Sequence, residues 1–96
     1  MKAPPAKTIT LQIGNTDDKL TQEEWSDFCD TIDRAVNRFS PTVHFSGAPP
    51  SQAKKQNACW VFDIDEEEEL REVITRIRVE YHQDSAAWTL GRTEFI

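Results

Sequence analysis

Glycine, cysteine and positive charge are all scarce in this 96-residue chain, which holds three glycines, two cysteines and 11 Lys+Arg against 17 Asp+Glu. Each scarcity excludes something. A formal net charge of -6 supplies no positive field to displace counterions from a phosphate backbone, so direct nucleic-acid binding is not expected. Cys29 and Cys59 lie far apart, with no C-x-x-C pair and no His/Cys spacing suited to zinc, and both read as buried free thiols. No run approaches the ~18 apolar residues of a membrane span, and Met1-Lys2-Ala3-Pro4-Pro5 has no apolar segment behind its lysine. The expectation is a cytoplasmic protein with no membrane contact. No catalytic signature or activated nucleophile stands in the chain, so the sequence predicts no cofactor, no metal and no catalytic residue.

What is present is a clear succession of elements. Residues 1–7 read as a loose lead-in, and residues 8–96 as one small α+β domain. Thr8-Ile9-Thr10-Leu11-Gln12-Ile13 alternates polar and apolar, the period of a half-buried strand. Thr21 and Glu24 form a capping box, with Leu20 and Trp25 at the two positions of a hydrophobic staple, so a helix starts at Thr21. Trp25, Phe28, Cys29, Ile32, Val36 and Phe39 make its apolar stripe, and Pro41 ends it near residue 39 or 40. Thr42 to Ser46 is a short strand, and residues 46–57 form a turn-rich hairpin that reads as the most mobile internal stretch. Ala58 to Ile64 is apolar enough for a central strand. Asp65, with Glu68 in the reciprocal position, predicts the cap of a second helix whose stripe is Leu70, Val73, Ile74, Ile77 and Tyr81, ending near His82. Residues 86–96 read as a last strand broken by a bulge or bend at Gly91.

Two helices with one apolar stripe each, and strands with one apolar face, bury together as two layers. The βαββαβ ferredoxin-like plait is the simplest such topology: a four-stranded antiparallel sheet in order 4-1-3-2, with both helices on one face. Ile9, Leu11, Ile13, Trp60, Phe62 and Ile64 then face the helices. Thr8, Thr10, Gln12, Cys59, Val61 and Asp63 face outward, with no aromatic on the central strands to stack a base. Such a face suits a homodimer contact.

Several features are candidates for function. The acidic run Asp63, Asp65, Glu66, Glu67, Glu68 and Glu69 complements a helix N-terminus, with Glu67–Arg71 and Glu72–Arg76 at pairing distance. The same carboxylates are candidates for gripping a basic protein partner. Asp17 and Asp18, entering the first helix, join them as candidate partner-binding residues, and both helix starts are expected to contribute to one side of the molecule. Lys54 and Lys55 in the hairpin are further partner candidates. His44, Gln83, Asp84 and Ser85 are candidate ligand-binding residues. His82, Asp84 and Ser85 lie too close in sequence to converge as a catalytic triad, and His44 is expected on the open face with no positioned partner.

Leu20-Thr21-Gln22-Glu23-Glu24-Trp25-Ser26-Asp27-Phe28 and the later Tyr81-His82-Gln83-Asp84-Ser85 resemble a group of small uncharacterised bacterial and bacteriophage proteins. Their helix start has the form L/V-S/T-x-x-E-W-x-x-F, followed late in the chain by Q-D/E-S. The resemblance implies the ferredoxin-like plait and a phage or prophage setting, and supplies no activity. Together these observations predict a small acidic, non-enzymatic interaction protein that modulates a host protein or defence complex through its acidic surface. The alternative is a dimeric ferredoxin-like small-molecule-binding protein or minor enzyme.

Overall fold

A computed structural model describes residues 6–15, 17, 19–49 and 56–96. Asp18, Lys54 and Lys55, and half of the hairpin expected to be mobile, lie outside the described residues. The elements follow the expected order: β1 (Ala6–Gly14), α1 (Gln22–Phe39), β2 (Thr42–Gly47), β3 (Asn57–Asp63), α2 (Glu67–Glu80) and β4 (Ala87–Thr93). They form the ferredoxin-like plait, an antiparallel four-stranded sheet in the order β2-β3-β1-β4 with two helices. β1 begins at Ala6 rather than Thr8, because Lys7 is already held in the ladder opposite Arg92 and its carbonyl accepts from the Ile64 N–H at 3.0 Å.

The alternation read from the sequence decides the faces. Ile9, Leu11, Ile13, Trp60, Phe62 and Ile64 are all buried, together with Phe28, Ile32, Val36, Leu70 and Ile74 from the helices. Burial of each such side chain is worth about 1.5–3 kcal/mol. Phe28 sits at the centre of the helix layer, edge-on to Trp25 at 5.9 Å and stacked on Tyr81 at 5.0 Å. Trp60 combines burial with a polar tether, its indole N–H donating to Asp33 of α1 at 2.9 Å. Cys29 and Cys59 are free but only half-buried. Burial, and then the neighbouring Asp30, pushes the Cys29 thiol up from 9.0 to about 11.

The ends of α1 follow the local signals. Thr21 accepts from the Glu24 N–H at 3.1 Å while Glu24 accepts from the Thr21 N–H at 3.0 Å, and Leu20 and Trp25 are both buried as the staple requires. α2 differs. Its N-cap is Glu66, with no side-chain hydrogen bond, not the expected Asp65. Ile64 is still tied to β1, so the chain needs Asp65 for the bend out of the sheet and the helix starts one residue later. Its other end closes as a Schellman motif, the Gln83 N–H bonding the Arg78 carbonyl and the His82 N–H the Val79 carbonyl, both at 3.0 Å. His82 takes the left-handed position usually given to glycine, with φ 56°.

The irregularity expected in β4 is elsewhere. Gly91 pairs directly with Thr8 in an unbroken register, and a Cβ there would meet the Thr8 carbonyl oxygen only at an ordinary 3.9 Å, so nothing forces the strand to bend. The bulge lies in β2, where Val43 opposes Phe62 and Phe45 opposes Val61, leaving His44 as the extra residue.

Candidate functional site

That bulge builds the most organised polar group on the open sheet face. Asp63, at the end of β3, is aligned opposite both Thr8 of β1 and Thr42 of β2. Its position is fixed from the helix layer as well: buried Ser40, just past α1, donates its hydroxyl to the Asp63 carbonyl at 2.6 Å. The extra residue in β2 turns the His44 ring onto the Asp63 carboxylate, with Nε2 at 3.0 Å from Oδ1. Thr8 donates its hydroxyl to the same Oδ1 at 2.7 Å. With that proton committed, Thr8 accepts from the Thr93 hydroxyl of β4. All four strands thus contribute to one cluster, His44–Asp63–Thr8–Thr93.

This corrects the expectation that His44 lacks a positioned partner. A bulge changes which side chain faces a neighbour without leaving a mark in the composition of the strand, so Asp63 could not be identified as the partner from spacing. Chemically, an imidazole whose Nε2–H is held by a carboxylate presents Nδ1 as a fixed acceptor. The Phe95 ring lies 6.3 Å from the His44 ring and is largely exposed. Phe45, also exposed, stands on the same face, its ring lying over Gly47, where an added Cβ would meet it at 2.8 Å.

The rest of this face carries little charge. Thr10, Gln12, Cys59, Val61, Ala87, Thr89 and Gly91 share it by the pairing registers. Among the described residues, His44 and Asp63 are the basic and acidic side chains on it, and no Lys, Arg or Glu joins them.

The other sequence candidates are dispersed. Glu67 is half-buried and already engaged, with Lys7 Nζ 3.6 Å from one oxygen and the Trp88 indole N–H donating to the other at 3.0 Å. It does not pair with Arg71, and Glu72 does not pair with Arg76, within 4.0 Å. Asp65, Glu66, Glu68 and Glu69 are exposed at the start of α2. Asp17 is exposed with φ 53° in the turn before α1. The two acidic starts share the helix layer but not one patch, because β1 and β3 are antiparallel and α1 follows one while α2 follows the other. They stand at opposite ends of the sheet. Gln83 is buried inside the cap of α2, Asp84 is exposed near Lys19 at 3.6 Å, and Ser85 is exposed. These three precede the β4 residue that pairs with Gln12, whereas Asp63 pairs with Thr8, so His44 is not brought to them.

Two groupings escaped the sequence. Asn15 clasps the entry to α1, accepting from the Leu20 N–H at 2.9 Å and donating to Gln56 at 2.6 Å; an Asn five residues before a staple position is the only local hint. Arg71, Arg78 and Trp88 line a cavity on the helix side of β4. Among the described residues no three His, Cys, Asp or Glu side chains come together in a metal-binding arrangement, and no helix is long and apolar enough to cross a membrane.

No protein-family model matches the sequence, and no curated protein does. Solved structures do share its arrangement. The solution structure of a hypothetical Arabidopsis thaliana protein is 15% identical with a TM-score of 0.53, over 98% of this chain and 92% of that one. A dimeric ferredoxin-like protein from an uncultured marine organism is 14% identical with a TM-score of 0.44, over 97% and 93%. A phage SAM lyase in its apo state is 20% identical with a TM-score of 0.48, over 92% and 81%. At these identities the likeness concerns the fold. The expectation that the chain is not an enzyme is withdrawn: one of these structures, the phage SAM lyase, is an enzyme, and a fold does not fix an activity or exclude one.

Proposed function

We propose that the protein binds a small polar molecule at the His44–Asp63 pair and does so as a self-associated cytoplasmic protein, two copies meeting through their open sheet faces. The observation that carries this reading is the pair itself: a histidine held 3.0 Å from a carboxylate on a face otherwise free of charge among its described residues. A positioned Nδ1 acceptor, the hydroxyls of Thr8 and Thr93 and the adjoining Phe45 and Phe95 rings combine convergent polar groups with apolar walls, as small-molecule sites do. The same imidazole is suited to accept a proton from a bound ligand, as a general base does. A second copy is the favoured cover because the chain is strongly acidic overall, yet among the described residues this face carries no charged side chain beyond the His44–Asp63 pair, so two such faces meet with little repulsion. Sheets pack face to face at about 10 Å, which leaves room for side chains and a ligand where His44 stands.

The reading in which an acidic surface grips a basic partner has less behind it, resting on Asp65, Glu66, Glu68 and Glu69 at one end of the molecule.

Light scattering across a concentration series, with wild type and Thr10→Arg, tests the association, and thermal shift against nucleotides and metabolites, with wild type and His44→Ala, tests the site. The expected result is a two-fold mass that Thr10→Arg halves, and a ligand that raises Tm in wild type but not in His44→Ala. A monomer at every concentration, together with no stabilising ligand, overturns the proposal.

A further inference from the structure

On the helix side of the sheet, behind the face that carries His44 and Asp63, a cavity of about 110 Å3 opens between α2 and β4, lined by Leu11, Arg71, Ile74, Thr75, Arg78 and Trp88. Arg71, Thr75 and Arg78 stand one and two turns apart along α2 and therefore share a stripe. The Arg71 guanidinium lies over the Trp88 ring, 5.8 Å from its centroid. Arg78 enters from the other end, one of its Nη1 protons donated to the Gln83 carbonyl at 2.7 Å.

We infer that this cavity is a binding site for a small oxyanion, the phosphate group of a ligand or free phosphate. In a chain of net charge -6, two guanidinium groups converge on one cavity, and neither has a carboxylate oxygen within 4.0 Å among the described residues. The carboxylate one turn before Arg71 is Glu67, and it is satisfied by Lys7 at 3.6 Å and the Trp88 N–H at 3.0 Å, so its field over the cavity is offset. Each guanidinium has five donors. Arg78 spends one on Gln83, and the face of Arg71 stacked on Trp88 leaves its edge N–H groups to point elsewhere. Two cations lining one cavity repel until an anion lies between them. Leu11, Ile74 and Trp88 supply apolar walls that strengthen that attraction. The volume exceeds the ~30 Å3 of one water and admits a tetrahedral head group. Thr75 adds no donor, because its hydroxyl proton goes to the Arg71 carbonyl at 2.8 Å; the anion is held by the two arginines alone.

Isothermal titration of the full chain with inorganic phosphate and, separately, with a nucleoside monophosphate, at constant ionic strength, tests this. Saturable binding of phosphate is expected, weakened at least tenfold by Arg71→Gln, and by less in Arg71→Lys, which keeps the charge but loses the planar fork. Arg71 is exposed, so its variants fold even where Arg78→Gln loosens the end of α2. Equal affinity for both ligands identifies free phosphate as the source, and a tenfold or greater gain with the nucleotide identifies the head group of a larger ligand. The inference is overturned by an absence of saturable binding, by matched sodium chloride producing the same heat, or by Arg71→Gln binding as wild type does.

Discussion

Removing the Asp33 carboxylate should destabilise the protein in one background and not in another. The Trp60 ring is 4% exposed, and its N–H has Asp33 Oδ1 as acceptor at 2.9 Å. In Asp33→Ala the indole stays buried without that acceptor. Loss of a hydrogen bond to a charged group costs about 1.5–3 kcal/mol. Against this, Ala is a better helix residue than Asp by about 0.5 kcal/mol, and the Asn37 side chain keeps its bond because it uses the Asp33 backbone carbonyl. The net loss is therefore about 1–2.5 kcal/mol, or about 4–20 °C in Tm for a chain of this size. In a Trp60→Phe background there is no N–H to satisfy, and only the helix term remains. There Asp33→Ala should be neutral or stabilising by up to about 0.5 kcal/mol. Urea unfolding of the four proteins, followed by far-UV circular dichroism, measures both legs of this cycle. Equal destabilisation in both backgrounds would refute the reasoning, because it would place the role of Asp33 outside its bond to Trp60.

Three further outcomes follow from the same structure. His82→Gly should stabilise the chain by about 0.5–1 kcal/mol in thermal or urea unfolding, since glycine occupies φ 56° without steric cost; a loss of stability would mean that the His82 side chain outweighs its backbone strain. Thr21→Ala should cost about 1 kcal/mol by removing the acceptor of the Glu24 N–H, and an unchanged Tm would show that the capping box contributes nothing here. The Cys29 thiol, raised by burial and then by Asp30 to about 11, should alkylate with a pH midpoint near that value, read site by site by mass spectrometry. Because the unfolded thiol ionises first, near 9.0, stability should fall as pH rises from there through about 11. A midpoint at the value of an unperturbed cysteine contradicts the burial.

Helix α1 shows how much local chemistry determines. Thr21, Glu24, Leu20 and Trp25 act within one turn, so the start of that helix needs no tertiary partner to be read. The faces of β1 and β3 were equally readable, since alternation alone separates Ile9, Leu11 and Ile13 from Thr8, Thr10 and Gln12. The start of α2 is less legible. Asp65 has the right chemistry for a cap, but the tie between Ile64 and Lys7 holds the chain in the sheet one residue longer. Gly91 was misleading for a related reason: its residue type suggests a bend, yet the ladder with Thr8 keeps it straight.

The candidate sites were less accessible, because each depends on a register rather than a pattern. Nothing local distinguishes His44 as the bulged residue; it is defined by Val43 opposing Phe62 while Phe45 opposes Val61. The acidic helix starts were expected to combine, but the antiparallel pairing of β1 and β3 sends them to opposite ends. Arg71 is legible only as a surface partner for Glu67 and Arg78 carries no local mark, and the placement of Trp88 on β4 is what sets both at a common cavity. By itself the sequence determined the order of elements, the two-layer plait and the buried face of each strand, because those follow from side-chain periods acting over a few residues. Tertiary structure alone decided that His44 meets Asp63 and that Arg71 meets Trp88, because contacts between distant strands and helices depend on register, and a shift of one residue in a strand would turn His44, Asp63 or Trp88 to the opposite face.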